Sequence, residues 1–177
     1  MNKTNKAIFL DRDGVINKTI VRNGKPYAPL FLKDFKIIPG VKKTLKYLKK
    51  KNFLLIVVTN QPDVKSGKLK LTTLEKMNKI LVKQLNIDEV FACKHDDLDK
   101  CKCRKPNNEF IEYAIKKYSI DRSKSYFIGD RKKDIDAGIK SNLTTIYISK
   151  RYKEPKPTNH HFSCKSLLET IIFIDKY

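Results

Sequence analysis

Ala7-Ile8-Phe9-Leu10-Asp11-Arg12-Asp13-Gly14 is a short apolar run that ends abruptly in two carboxylates and a glycine. A second apolar run, Phe53-Leu54-Leu55-Ile56-Val57-Val58, is rich in β-branched residues and ends at Thr59-Asn60-Gln61. Both have the length and composition of buried strands. Between them, Pro39-Gly40 opens a segment with Val41, Leu45 and Leu48 on one face and lysines on the other, an amphipathic helix. The unit is therefore strand, long loop, helix, strand.

The rhythm continues outward. A helix is expected from about Thr72 to Leu85, a short strand around Val90 and a helix from Asn108 to Tyr118. A strand at Tyr126 to Ile128, a helix from Asp134 and a strand at Thr144 to Ile148 follow. Such alternation predicts an α/β fold, a Rossmann-like three-layer α/β/α parallel sheet, because each crossover helix must bury its apolar stripe on the sheet. Residues 15–38 form an insertion after the first strand, placed to act as a lid. The stretch from Arg151 to Cys164 reads as irregular, and Ser166 to Ile174 as a final helix. Residues 1–177 read as one domain.

In parallel sheets ligands gather beyond the carboxyl ends of the strands, which is where Asp11, Asp13, Thr59, Asn60, Cys93 and Asp130 fall. Two carboxylates as close as Asp11 and Asp13 repel, and a divalent cation with oxygen ligands, Mg²⁺, relieves that repulsion. One aspartate can then attack phosphorus while the other exchanges protons; the competing reading is an acidic surface loop. Gly129-Asp130-Arg131-Lys132-Lys133-Asp134 adds a metal-ligand candidate in Asp130, while Asp134 reads equally as a helix N-cap. Thr59 and Asn60 offer a hydroxyl and an amide to phosphoryl oxygens, and Arg104-Lys105 offers two cations.

Three of the four cysteines, Cys93, Cys101 and Cys103, cluster around His95. Three thiolates and one imidazole make a closed tetrahedral set for Zn²⁺, with no position left for a catalytic water, so the role is structural. Cys164 reads as an inert thiol, and His160 and His161 as a solvated pair.

The formal net charge is +20, but only six of the 39 basic residues are arginines. Lysines strewn over helix faces do not make a nucleic-acid platform, although they would attract a doubly phosphorylated small molecule. No stretch approaches the roughly 18 apolar residues of a membrane span. Asp11 and Asp13 interrupt the first apolar run too early for a signal peptide, so a cytoplasmic monomer is expected.

Taken in order, Asp11-x-Asp13-Gly14, Thr59, Lys105 and Gly129-Asp130-x-x-x-Asp134 resemble the four motifs of the haloacid dehalogenase superfamily of phosphatases, over residues 7–148. Cys93-x-His95 with Cys101-x-Cys103-Arg104-Lys105-Pro106 resembles the zinc loop of the D-glycero-D-manno-heptose 1,7-bisphosphate 7-phosphatases and the related histidinol-phosphate phosphatases. The resemblance implies Asp11 as nucleophile, Asp13 as general acid and base, and Lys105 as the catalytic cation. It implies Mg²⁺ held by Asp11, Asp130 and the Asp13 carbonyl, with Asp134 steadying them. Arg12, Thr59, Asn60, Arg104 and Arg131 are then the expected substrate contacts. Ser66-Gly67-Lys68 after the second motif favours the heptose bisphosphate. The short spacer between His95 and Cys101 points instead to histidinol phosphate, and the proline at position 62 departs from the pattern of both groups. A polynucleotide 3′-phosphatase or a non-catalytic nucleic-acid module remains the competing class.

Overall fold

The computed structural model describes residues 4–176. Six parallel strands form one sheet in the order β5-β4-β1-β6-β7-β8, from β1 (Lys6–Leu10), β4 (Phe53–Asn60), β5 (Glu89–Cys93), β6 (Tyr126–Gly129), β7 (Thr144–Ile148) and β8 (Phe162–Cys164). Strand β1 lies centrally, with Ile8 opposite Leu55 on one side and Tyr126 on the other.

Side chains alternate across each strand, so each strand feeds two separate cores. Ile8, Leu10, Leu55, Val57 and Ile128 pack with α1 (Val41–Lys50) and α2 (Leu71–Leu85) through Leu45, Leu48, Met77 and Leu81. Ala7, Phe9, Ile56, Val58 and Phe127 face α3 (Glu109–Lys117) and α4 (Lys132–Lys140) through Ile111, Ala114 and Ala137. Because both faces are covered, the strands read as continuous apolar runs rather than alternating ones.

Three expectations need correction. The stretch 151–164 is not wholly irregular: Phe162–Cys164 pairs in parallel with β7, from Ile146 opposite Phe162 to Ile148 opposite Cys164. His161 is not merely solvated. Its Nδ1 lies 2.8 Å from Thr145 Oγ1 and accepts from Thr145 N at 3.1 Å, pinning this segment to the sheet, and His160 packs against the Tyr147 ring. The final helix is a 3-10 turn at Leu168–Thr170 continuing into α5 (Ile171–Ile174).

Residues 15–38 hold a hairpin of β2 (Ile20–Arg22) and β3 (Lys25–Tyr27), with Asn23 and Gly24 both at positive φ in the turn. Its tip is tied to the far end of the chain, since Lys153 N donates to Gly24 O at 2.8 Å.

Helix α4 lies unusually close to the sheet, because a Cβ on Gly138 would sit 2.7 Å from both Phe127 Cβ and Thr145 Cγ2. Gly138→Ala is therefore expected to destabilise the fold by about 1–3 kcal/mol through overpacking. Urea denaturation should show the midpoint fall; an unchanged midpoint would refute the close packing.

Candidate functional site

The carboxyl ends of β1, β4 and β6 converge on Lys105. Its side chain is fully buried, and Nζ donates to Asp11 Oδ1 and to Val58 O, both at 2.6 Å, and lies 2.8 Å from Asp134 Oδ1. Burial alone would lower the Lys105 pKa, but the Asp11 and Asp134 carboxylates more than reverse it, so the ammonium stays charged. Asp11 responds oppositely: burial pushes its carboxyl up to about 6, with Lys105 pulling it down and Asp134 and Asp13 pushing it further up.

Asp130 completes the acidic group. One oxygen each from Asp11, Asp130 and Asp134 falls within 4.8 Å of the others. Asp130 Oδ1 is buried with no hydrogen-bond partner, and burial with the nearby Asp11 and Asp134 holds its carboxyl well above the usual range. Three carboxylates facing one ammonium leave two negative charges, which a divalent cation would neutralise. The residues present therefore fit Mg²⁺. Gly14 permits the approach: it adopts φ +98°, and a Cβ there would lie 1.9 Å from Asp130 Oδ2.

The structure places several expected site residues differently. The Asp13 carboxylate stands apart from the acidic group and is held by Arg12 Nε at 3.2 Å, Asn17 Nδ2 at 2.8 Å and Gln61 Nε2 at 2.7 Å. Arg12, expected to meet substrate, is wholly buried, with its guanidinium over the Phe35 ring. It positions Asp13 instead. Asn60, expected to hold phosphoryl oxygens, spends both amide atoms on the Lys105 backbone, donating to its carbonyl at 3.0 Å and accepting its N–H at 3.1 Å. Asp134 is not an N-cap. It sits in the first turn of α4, and its Oδ2 accepts the Arg131 N–H at 3.0 Å.

Thr59 is buried, and its Oγ1 accepts from Gln61 Nε2 at 2.8 Å. Asp11, Asp13, Thr59, Asn60, Arg131 and Lys133 line a small inner cavity of about 50 Å³, which the hairpin borders with Pro26, Tyr27 and Ala28. The insertion after β1 thus supplies a wall of the site.

Four contributors were not singled out in the sequence, two of them, Gln61 and Lys133, within the quoted motifs and two, Tyr152 and Glu154, far from them. Gln61 bridges Asp13 and Thr59; Tyr152 donates to Asp130 Oδ2 at 2.9 Å and meets Thr19 Oγ1 at 3.1 Å; Glu154 pairs with Arg131; and Lys133 faces the cavity. Tyr152 and Glu154 belong to the stretch read as irregular, a strap over the carboxylates. Burial, then the neighbouring Arg131 charge, lower the Lys133 ammonium to about 8.

Cys93, His95, Cys101 and Cys103 do come together. Sγ of Cys103 lies 3.3 Å from that of Cys93, 3.5 Å from that of Cys101 and 3.4 Å from His95 Nδ1, and Cys93 to Cys101 is 3.7 Å. Ligands about 2.3 Å from a tetrahedral metal stand roughly 3.8 Å apart, so the four donors are spaced to hold one. The loop is braced by Asn107 Nδ2 donating to Cys101 O at 2.8 Å and by Arg104, which donates to His95 O at 3.2 Å and Asp97 Oδ1 at 2.6 Å. Gln61 N also donates to Cys93 O at 2.6 Å. Lys105 is thereby gripped from β4 and from the loop.

Residues 16–142 match the model of the haloacid dehalogenase-like hydrolases. A D-glycero-beta-D-manno-heptose-1,7-bisphosphate 7-phosphatase from Helicobacter pylori is 34% identical, over 97% of this chain and 98% of that protein. A Campylobacter jejuni protein named for the alpha anomer of the same substrate is 31% identical over 95% of each. The crystal structure of a D,D-heptose 1,7-bisphosphate phosphatase from B. bronchiseptica, complexed with magnesium and phosphate, superposes with a TM-score of 0.82 at 21% identity, covering 97% of this chain and 98% of that one.

Adding Co²⁺ to metal-stripped protein should produce thiolate-to-metal charge-transfer absorption, which Cys101→Ser should weaken. Absence of such absorption in the unsubstituted protein would rule out a metal on these thiolates.

Proposed function

The chain belongs to the haloacid dehalogenase-like hydrolase family, and on that premise we propose that it is a Mg²⁺-dependent phosphatase removing the 7-phosphate of a D-glycero-D-manno-heptose 1,7-bisphosphate. The contact that carries this reading is Lys105 Nζ on Asp11 Oδ1 at 2.6 Å, beside the buried Asp130. The substrate class is supported by the full-length similarity to the Helicobacter pylori protein.

Asp11 is the nucleophile. With Oδ1 held by Lys105, the other carboxylate oxygen bonds to phosphorus as the bond to the sugar oxygen breaks, and Asp13 delivers a proton to the departing alkoxide. Asp13 then takes a proton from water as that water attacks the aspartyl-phosphate, returning Asp11 as a carboxylate and releasing inorganic phosphate. Thr59 and Lys105 bind the phosphoryl oxygens, while Arg12, Asn17 and Gln61 fix where Asp13 stands. Asn60, which also lines the cavity, sets the Lys105 backbone. Mg²⁺, held by Asp11, Asp130 and the Asp13 carbonyl with Asp134 behind them, would neutralise charge gathering on the phosphoryl oxygens. Zn²⁺ is the metal proposed for the three thiolates and His95, where it would fix Arg104 and Lys105 at the site. Residues 1–177 act as one domain.

Histidinol phosphate is the second reading, favoured by the five residues separating His95 from Cys101. Comparing rates on heptose 1,7-bisphosphate and histidinol phosphate decides between them: the bisphosphate should be hydrolysed far faster, and equal or inverted rates would overturn the choice. Turnover should require added Mg²⁺ and vanish in Asp11→Asn, with fold and thiolate-bound metal retained. Asn60→Ala should slow turnover on the order of a hundredfold by releasing Lys105, and an unchanged rate would refute its positioning role.

A further inference from the structure

The strap between β7 and β8 is tied to the rest of the molecule at both ends of a six-residue stretch. Ser149 N donates to Cys164 O at 2.8 Å, Lys153 N donates to Gly24 O at 2.8 Å, and Glu154 pairs with Arg131. Tyr152 sits between these ties, and its half-buried side chain is carried toward the acidic group. Its hydroxyl makes two contacts there, donating to Asp130 Oδ2 at 2.9 Å and lying 3.1 Å from Thr19 Oγ1. A phenol has one proton to give, so Thr19 must be the donor in the second contact. The chain of hydrogen bonds therefore runs from Thr19 through Tyr152 to Asp130. Gly14 leaves room for the meeting, since a Cβ there would lie 3.0 Å from the Tyr152 hydroxyl oxygen and against Asp130 Oδ2.

Tyr152 stands outside the reaction space. It borders a separate groove of about 540 Å³ with Gly14, Lys18 and Ile38, whereas Asp11, Asp13 and Thr59 line the inner cavity. Any effect of the hydroxyl on the reaction must then pass through Asp130. Torsion about the Cβ–Cγ bond of an aspartate is soft and roughly two-fold, so an unheld carboxylate turns easily. Among the described residues, the Tyr152 hydroxyl is the one hydrogen-bond donor found on the Asp130 side chain. With Oδ2 engaged, Oδ1 is buried without a partner and is the atom that can face a cation shared with Asp11.

We propose that Tyr152 is a positioning residue for the divalent-cation site: by holding Asp130 Oδ2 it stops the carboxylate from turning and presents Oδ1 to Mg²⁺. This rests on the reading of Asp11 and Asp130 as Mg²⁺ ligands, and not on the identity of the substrate. Thr19 acts one step further out, by setting the rotation of the phenol hydroxyl. The strap thus contributes to metal affinity without supplying a ligand.

Metal affinity is the direct readout. Mn²⁺, a paramagnetic substitute, is titrated into protein retaining its thiolate-bound metal, free Mn²⁺ is followed by electron paramagnetic resonance, and competition gives the affinity for Mg²⁺. Tyr152→Phe keeps the ring and removes the hydroxyl. It should weaken Mg²⁺ binding about tenfold, the lower end of the loss expected when a metal ligand is deprived of its hydrogen-bond partner, while unfolding in urea stays a single cooperative transition. The half-saturating Mg²⁺ concentration for turnover should rise by the same factor, with kcat recovered at saturating Mg²⁺, a split that a generally loosened site would not give. Thr19→Val leaves the bond between Tyr152 and Asp130 in place and should cost no more than about threefold. Equal Mg²⁺ affinity in Tyr152→Phe and the unsubstituted protein would overturn the proposal and leave the metal reading intact. A loss in Thr19→Val as large as that in Tyr152→Phe would also overturn it, by assigning the effect to the fastening of the hairpin. Should heptose 1,7-bisphosphate fail as a substrate while the affinity still depends on the Tyr152 hydroxyl, the function reading falls and the positioning role stands.

Discussion

A charged lysine buried in the middle of the molecule is the constraint from which the rest follows. An ammonium taken out of water with no partner costs several kcal/mol, and Lys105 avoids that cost only because three acceptors from three parts of the chain surround Nζ. Asp11 comes from the end of β1, the Val58 carbonyl from β4 and Asp134 from the first turn of α4. Each acceptor must be accurately placed, so the order β4-β1-β6 in the sheet and the tight seating of α4 are conditions for burying this charge. The same placement turns Asp11 toward the cavity with one oxygen engaged.

Charge balance then explains the neighbourhood. Asp130 brings a third carboxylate against that single ammonium, a deficit suited to a divalent cation. Arg12 performs a comparable task for Asp13, away from solvent. Despite a formal charge of +20, the cations nearest the site are mostly answered one by one: Lys105 by Asp11 and Asp134, Arg131 by Glu154, Arg104 by Asp97. The surplus lysines are scattered over the outer faces, which is why net charge alone says little about what this surface binds.

The sheet was legible in the amino-acid sequence because both of its faces are buried. Continuous apolar runs at Ala7–Leu10, Phe53–Val58 and Thr144–Ile148 stand out against lysine-rich helices, and strand-end chemistry marked Asp11, Thr59 and Asp130. The thiolate cluster was legible because all four donors lie within eleven residues. What escaped was set by contacts between distant segments. Tyr152 and Glu154 acquire roles only because β8 draws the stretch before it across the carboxyl ends of the strands. Pairing of three residues, Phe162–Cys164, is too short to register as periodicity. Arg12 was misplaced for a related reason: motif position fixes a backbone location, whereas the direction of a side chain depends on neighbours such as Phe35 that lie far off in the chain.

The strap bearing Tyr152 and Glu154 also has a consequence for biosynthesis. Chains emerge from the ribosome amino end first, so β1, β4, β5 and β6 are available to associate before residues 150–154 leave the exit tunnel. Until then Asp130 lacks its tyrosine cover, Arg131 lacks its carboxylate and the hairpin tip at Gly24 has nothing to fasten it. A chain whose residues 150–154 have not yet emerged would lack that enclosure even where the acidic group had formed.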